Sequence, residues 1–288
     1  MHAPPMRSWL RPWDWTLLAL LLLVFAPAFQ SMAAVWSRLD YYSHGYLVPV
    51  VALWAAAAQR HVLPRLPARR EPWGWAGLVA SLAVYALGAL ASDPTLQGLA
   101  FVGALASLLY ALRGGPTLRA LAFPVGFLLF MVPIPGPWLA PVIVKLQLFV
   151  SAAGVRVVQA LGLAAARDGN VILLPGGGSL FVAEACSGIT SLVTLVPLAV
   201  FLAYFTERTL GRRLVLVLAV LPLAILGNLI RVVGTVWAAE RYGVAFATGG
   251  PLHEWAGVAT YVLGCLALLG VGGLLRLVAP VEKAKPGP

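Results

Sequence analysis

Apolar runs of roughly 20 residues recur along the whole chain, and that is the length an α-helix needs to cross a hydrocarbon core about 30 Å thick. Lipid offers the backbone no hydrogen-bonding partner, so runs of this kind are read as helices that satisfy their own N–H and C=O groups. Charged residues make up only 10% of the chain, against roughly 25% in an ordinary soluble domain, and 61% of it is hydrophobic. A soluble fold of 288 residues could not hide that much apolar surface. The expected fold class is an all-α polytopic membrane protein.

The net charge of +10 does not point to nucleic acid, because the 20 Lys and Arg residues form no basic face interleaved with aromatics. They punctuate the gaps between apolar runs, which is the pattern of cytoplasmic loops under the positive-inside rule. Spans are expected near residues 15–35, 45–62, 73–92, 96–112, 119–135, 187–206, 213–240 and 253–277. The first run follows Arg7 and Arg11 and resembles a signal peptide, but with further spans downstream it is read as an uncleaved helix.

A ninth apolar stretch, Trp138 to Ala166, carries Lys145, Gln147, Arg156 and Gln159. If it crossed, the loop with Arg208, Arg212 and Arg213 and the tail with Lys283 and Lys285 would both lie outside. If it lies in the outer interface as one or two amphipathic helices, fourteen of the 20 basic residues are cytoplasmic. The expectation is therefore eight spans with both termini cytoplasmic, Pro141 and Gly154 permitting a bend in the interfacial segment. Residues 1–14 form a cytoplasmic N-terminus and 281–288 a cytoplasmic tail. Two β-rich runs, Asn170–Leu174 and Ser179–Val182, flank a Pro-Gly turn and read as a short outer hairpin. With no long linker or convincing repeat, residues 1–288 are treated as a single domain.

Arg231 most demands an account, since a mid-span arginine costs at least about 2.5–3.5 kcal/mol. It lies about 27 Å of helix beyond Arg213, toward the outer leaflet, with Asn228 one turn away on the same face. Snorkelling to the outer headgroups is one reading. Cys186 opens the sixth span before the small pair Ser187-Gly188, where a helix dipole and a nearby cation lower a thiol pKa. Taken alone, a span cysteine is more often packing, and that reading is applied to Cys265. Cys265 also lies about 18 Å deeper than His253, which argues against a disulfide between the two cysteines. His253 begins the eighth span beside Glu254; alone it reads as an interfacial anchor. Convergence changes the reading, because Cys186, Arg231 and His253 come from three helices at similar outer-leaflet depth. They supply a nucleophile, a general acid or base, and a cation for a developing oxyanion, the equipment of acyl transfer.

Glu184-Ala-Cys186-Ser-Gly188-Ile189, Asn228-Leu-Ile-Arg231 and His253-Glu-Trp-Ala-Gly257 resemble, in order and spacing, the three signature blocks of the exosortase/archaeosortase family. Tyr42-Ser-His44-Gly-Tyr-Leu-Val-Pro49 and Phe127-Leu-Leu-Phe-Met-Val-Pro-Ile-Pro135 are similar to further family stretches, so the resemblance covers roughly residues 35–275. It implies a membrane cysteine transpeptidase of the inner membrane with its active site on the outer, periplasmic side. Its implied partners are exported proteins bearing a C-terminal motif, a transmembrane helix and a basic tail, together with membrane lipid. Bacterial members commonly serve signals of the Pro-Glu-Pro (PEP-CTERM) type and accompany exopolysaccharide genes. The catalytic roles carry over to Cys186, Arg231 and His253, with Glu184, Asn228 and His44 as supporting candidates.

No cofactor is implied. His44 and His253 lack the carboxylate or cysteine spacing of a metal site. The rival class is a transporter or lipid flippase with Arg231 as an anion site, although neither inverted repeats nor paired broken helices are visible.

Overall fold

Proline placement explains where many of the helices start and bend. The computed structural model describes residues 10–182 and 187–278, apart from the side chains of residues 250–254. The chain divides into two compact units, Met1–Pro135 and Gly136–Pro288. In the first, α1 (Pro12–Val24) opens on a proline whose missing N–H is one of the orphan donors of a helix start, and Asp14 accepts from the Arg11 N–H at 2.9 Å. α2 (Ala26–Arg38) follows at an angle of 52°. Pro27 causes that bend, since it cannot donate to the Leu23 carbonyl and its ring crowds it.

A 3-10 stretch, Asp40–Tyr46, leads into α3 (Leu47–Ala58). The helices α4 (Pro72–Leu90) and α5 (Pro94–Arg113) form an antiparallel pair, and Asp93 caps the second by accepting from Thr95 N at 2.7 Å and Leu96 N at 3.3 Å. Short helices α6 (Gly115–Ala120) and α7 (Ala122–Phe127) and a 3-10 turn, Leu128–Met131, complete the unit.

The α4–α5 pair packs through small residues. A Cβ at Gly74 would lie 2.4 Å from the Ala111 nitrogen, and one at Gly77 would lie 2.6 Å from Ser107 Oγ. α5 is central, with 56% of its apolar window buried against 11% for α4, whose other face is left to lipid. Polar side chains on this core are satisfied: Gln97 accepts from Ser31 Oγ at 2.7 Å and donates to the Gly88 carbonyl at 3.2 Å. Trp36 Nε1 donates to the Met131 carbonyl at 2.9 Å.

The second unit begins with α8 (Gly136–Ala160), followed by three short antiparallel strands in the order β1 (Ala166–Asp168), β2 (Val171–Leu173) and β3 (Ser179–Phe181). In the register, Arg167 pairs with Ile172 and Ile172 with Leu180. Then come α9 (Ile189–Thr206), α10 (Leu210–Leu218), α11 (Val220–Tyr242), α12 (Val244–Thr248) and α13 (Gly250–Val278). Ile172, Leu180 and Val182 share one core with Val150 and Val158 of α8 and Val232 and Val236 of α11. A second core joins Leu195 and Ala199 of α9 to Leu216, Val220 and Leu268. At its edge Glu207 is buried, its carboxylate 3.4 Å from Arg276 Nε, while Arg213 Nε donates to the Glu207 carbonyl at 2.9 Å.

The all-α polytopic class holds, but the spans differ in detail from expectation. Among the described residues six helices are long and apolar enough to cross, or seven if the bent α1–α2 pair is one span. The expected spans 45–62 and 119–135 appear instead as the 12-residue α3 and the shorter apolar stretch Ala122–Met131. Pro133 and Pro135 close off the second of these, since neither can donate to a helical carbonyl. The segment expected to lie in the interface as one or two helices is a single 25-residue helix, α8, long and apolar enough to cross. Pro141 removes one hydrogen bond near its start without ending it. The hairpin stands where the turn chemistry placed it, with β1 added; β1 is exposed throughout and so carries no alternating signal.

Replacing Gly74 by valine forces α4 and α5 apart. The expected loss is roughly 1–3 kcal/mol, read as an earlier unfolding midpoint in detergent, with Gly126→Val, where a Cβ meets nothing within 4 Å, as the tolerated control.

Candidate active site

α11 carries the polar face around which this site is arranged. Asn228 and Arg231 sit one turn apart on it, Asn228 buried and Arg231 half-buried. On one side of that face lies the start of α9. Gly188, its N-cap, has φ of 90°, a conformation that side-chain-bearing residues rarely adopt. A Cβ there would lie 3.4 Å from Asn228 Cβ and 3.7 Å from its Nδ2, so Asn228 covers the backbone two residues beyond Cys186. Ser187 is buried, and its Oγ accepts from the Ile189 N–H at 3.3 Å.

On the other side lies α13. The Arg231 guanidinium nitrogens stand 3.4 and 3.7 Å from where a Cβ on Gly257 would be. Absence of a side chain at Gly257 is what lets a planar cation lie against that helix, one turn beyond His253. Thr260 Cγ2, a further turn along, would stand 3.1 Å from a Cβ on Gly227, so the two helices approach closely over this stretch.

The chain entering the 183–186 segment is held from the strand side. Gln147 of α8 donates to the Val182 carbonyl at 3.1 Å and accepts from Asn170 Nδ2 at 3.4 Å, and the Val182 N–H donates to the Asn170 carbonyl at 2.9 Å. Cys186 and Glu184 lie outside the described residues. His253 lies in the first turn of α13, and its side chain is likewise outside the description. Of the three signature blocks, the described parts of all three meet on α11: Gly188, Asn228 with Arg231, and Gly257. Cys265 is half-buried and packs against the core around Leu195 and Leu268. Among the described residues no group of three or more His, Cys, Asp or Glu is disposed to hold a metal ion.

His44 belongs to the first unit, in the 3-10 stretch Asp40–Tyr46. Its Nε2 lies 3.2 Å from the Phe130 carbonyl, and Tyr42 Oη accepts from the Ile134 N–H at 2.8 Å. Thr95 Oγ1 donates to the Pro133 carbonyl at 2.8 Å. The stretches 42–49 and 127–135 are therefore hydrogen-bonded to one another. Burial lowers the His44 pKa, partly offset by the carbonyls of Phe130 and Tyr41, and burial raises that of the Tyr42 phenol against the opposing effect of the Ile134 N–H.

A family model described as Transmembrane exosortase (Exosortase_EpsH) matches residues 36–270. The chain belongs to the transmembrane exosortase family. No curated protein and no solved structure matches it. As an exosortase it is a multi-pass membrane protein of a family that acts on exported proteins, and the matched region holds all three signature blocks and both stretches that meet at His44. Sequence reasoning did not find two residues of the site. Gln147 registered only as a polar interruption of an apolar run, and Gly257 as part of a block rather than as the seat of Arg231.

Gly257→Ala is expected to be tolerated, because its methyl makes only ordinary contact with the guanidinium. Gly257→Leu displaces Arg231, with an expected loss of exosortase processing of about a hundredfold at unchanged membrane level. His44 adds a pH dependence. Its folded pKa lies below the ordinary 6.5, so the unfolded chain binds the proton more readily. Stability falls as pH drops through 6.5 and levels off below the depressed folded value; His44→Gln flattens that part of the curve in a thermal-melt pH series.

Proposed function

We propose that this exosortase is a membrane cysteine transpeptidase that removes C-terminal sorting signals of the Pro-Glu-Pro type from exported proteins. The substrate's own helix docks among the spans and sets its scissile peptide beside Cys186. The Cys186 thiolate attacks the carbonyl carbon, Arg231 stabilises the oxyanion, and His253 gives its proton to the amine as the C–N bond breaks. The resulting thioester is then attacked by an amine, a hydroxyl or water, which yields a proton to His253 and restores the thiolate. The arginine-rich loops support cytoplasmic termini and a site facing the outer side of the inner membrane.

The observation that carries this reading is the placement of Arg231. Its guanidinium rests on Gly257, one turn from His253, while Asn228 on the same face rests on Gly188, two residues from Cys186. A half-buried arginine in an apolar span also suits an anion pathway, which keeps a transporter as the rival.

Cys186→Ala separates the two. In the source cell, membrane-anchored exported proteins are expected to keep their C-terminal helix and basic tail when Cys186→Ala replaces wild type at equal level, as read by mass spectrometry of their C-termini. Arg231→Ala and His253→Ala should give the same accumulation. Unchanged processing in Cys186→Ala would reject the cysteine mechanism and favour the transporter.

A further inference from the structure

The first unit contains a cavity of about 560 Å³ that the proposed chemistry does not use. That volume lies within the roughly 300–1,000 Å³ usual for small-molecule sites. Its lining is apolar apart from Arg60 and includes Trp15, Phe29, Pro49, Leu63 and Met131. From Pro49 to Ala58 along α3 is about 14 Å, and Arg60 follows two residues past the helix end. That length is about half of a ~30 Å hydrocarbon core, the depth that the acyl chains of one leaflet occupy.

Arg60 stands at the basic end of the unit. The start of α1, the end of α3, the start of α4 and the end of α5 all come to this end, bringing Arg11, Arg65, Arg69, Arg70 and Arg113. The backbone joins them there, with Arg69 N–H donating to the Arg113 carbonyl at 3.3 Å. The Arg70 guanidinium lies 4.3 Å from the Trp13 ring centroid. Exposed Trp13, Trp15, Trp73 and Trp75 lie at this same end, the position of an interfacial aromatic belt. The Arg60 side chain is exposed, and its Nε donates to His61 Nε2 at 3.1 Å.

We infer that this cavity is a binding site for an anionic phospholipid of the bilayer, one acyl chain lying along α3 and the headgroup phosphate resting on Arg60. Apolar walls admit the chain, and a guanidinium at the interface selects a negative headgroup over a zwitterionic one. A substrate helix is the rival occupant; helices are wide, at about 10 Å across with side chains, and would not require a cation at one end.

The test uses the purified full chain in detergent, with palmitoyl-oleoyl phosphatidylglycerol or the matching phosphatidylcholine added and retention read by native mass spectrometry. Wild type is expected to hold one lipid per chain and to prefer phosphatidylglycerol about fivefold. Single-chain lysophosphatidylglycerol should compete for the same site. Arg60→Ala should abolish the headgroup preference while Arg60→Lys keeps it, and Ala56→Phe, which fills the cavity, should release both lipids. Equal retention of the two headgroups by wild type overturns the proposal without any variant. So does retention unchanged by Ala56→Phe in a chain of unaltered melting temperature, or displacement of the lipid by an uncharged apolar helical peptide but not by the lysolipid.

Discussion

Hydrocarbon neither donates nor accepts a hydrogen bond, and the rest of this structure follows from where the chain puts the polar groups it cannot leave there. The backbone is satisfied by helix wherever the sequence is apolar. Several polar side chains inside are turned toward one another or toward backbone carbonyls. Gln97 with Ser31 and Gly88, Trp36 with Met131, and Gln147 with Val182 all follow this rule. The three-stranded sheet obeys it differently: its edges would be intolerable in lipid, and its inner face is covered by α8 and α11.

Small residues solve the complementary problem of bringing helices close when there is no hydrophobic force between them. Gly74 and Gly77 let α4 seat on α5. Gly257 and Gly188 use the same device for a chemical purpose, since each removes a side chain where a polar group of α11 must lie against another element. One principle of packing therefore serves both the frame and the candidate site.

The stretches around His44 and Phe130, far apart in the chain, are joined in the fold through the Phe130 carbonyl and the Ile134 N–H. That pairing holds the 3-10 stretch Asp40–Tyr46 against the chain that leads to Pro135.

Composition and run length determined the membrane class, because covering about 30 Å of hydrocarbon demands a fixed number of apolar residues wherever they occur. Proline and glycine positions determined the turn of the hairpin, since both act through local dihedral angles; the bend at Phe25 in the expected span 15–35 came from the structure. The blocks around Cys186, Arg231 and His253 were legible as residue types on three helices, which is a matter of order and spacing. Tertiary structure alone decided that Arg231 rests on Gly257 and Asn228 on Gly188, that Gln147 holds the strand leading to Cys186, and that α8 runs unbroken past Pro141. Contacts of this kind depend on the rotation of each helix about its own axis and on its depth against its neighbours, and those are set by the fit of side chains from distant parts of the chain. No local pattern encodes them.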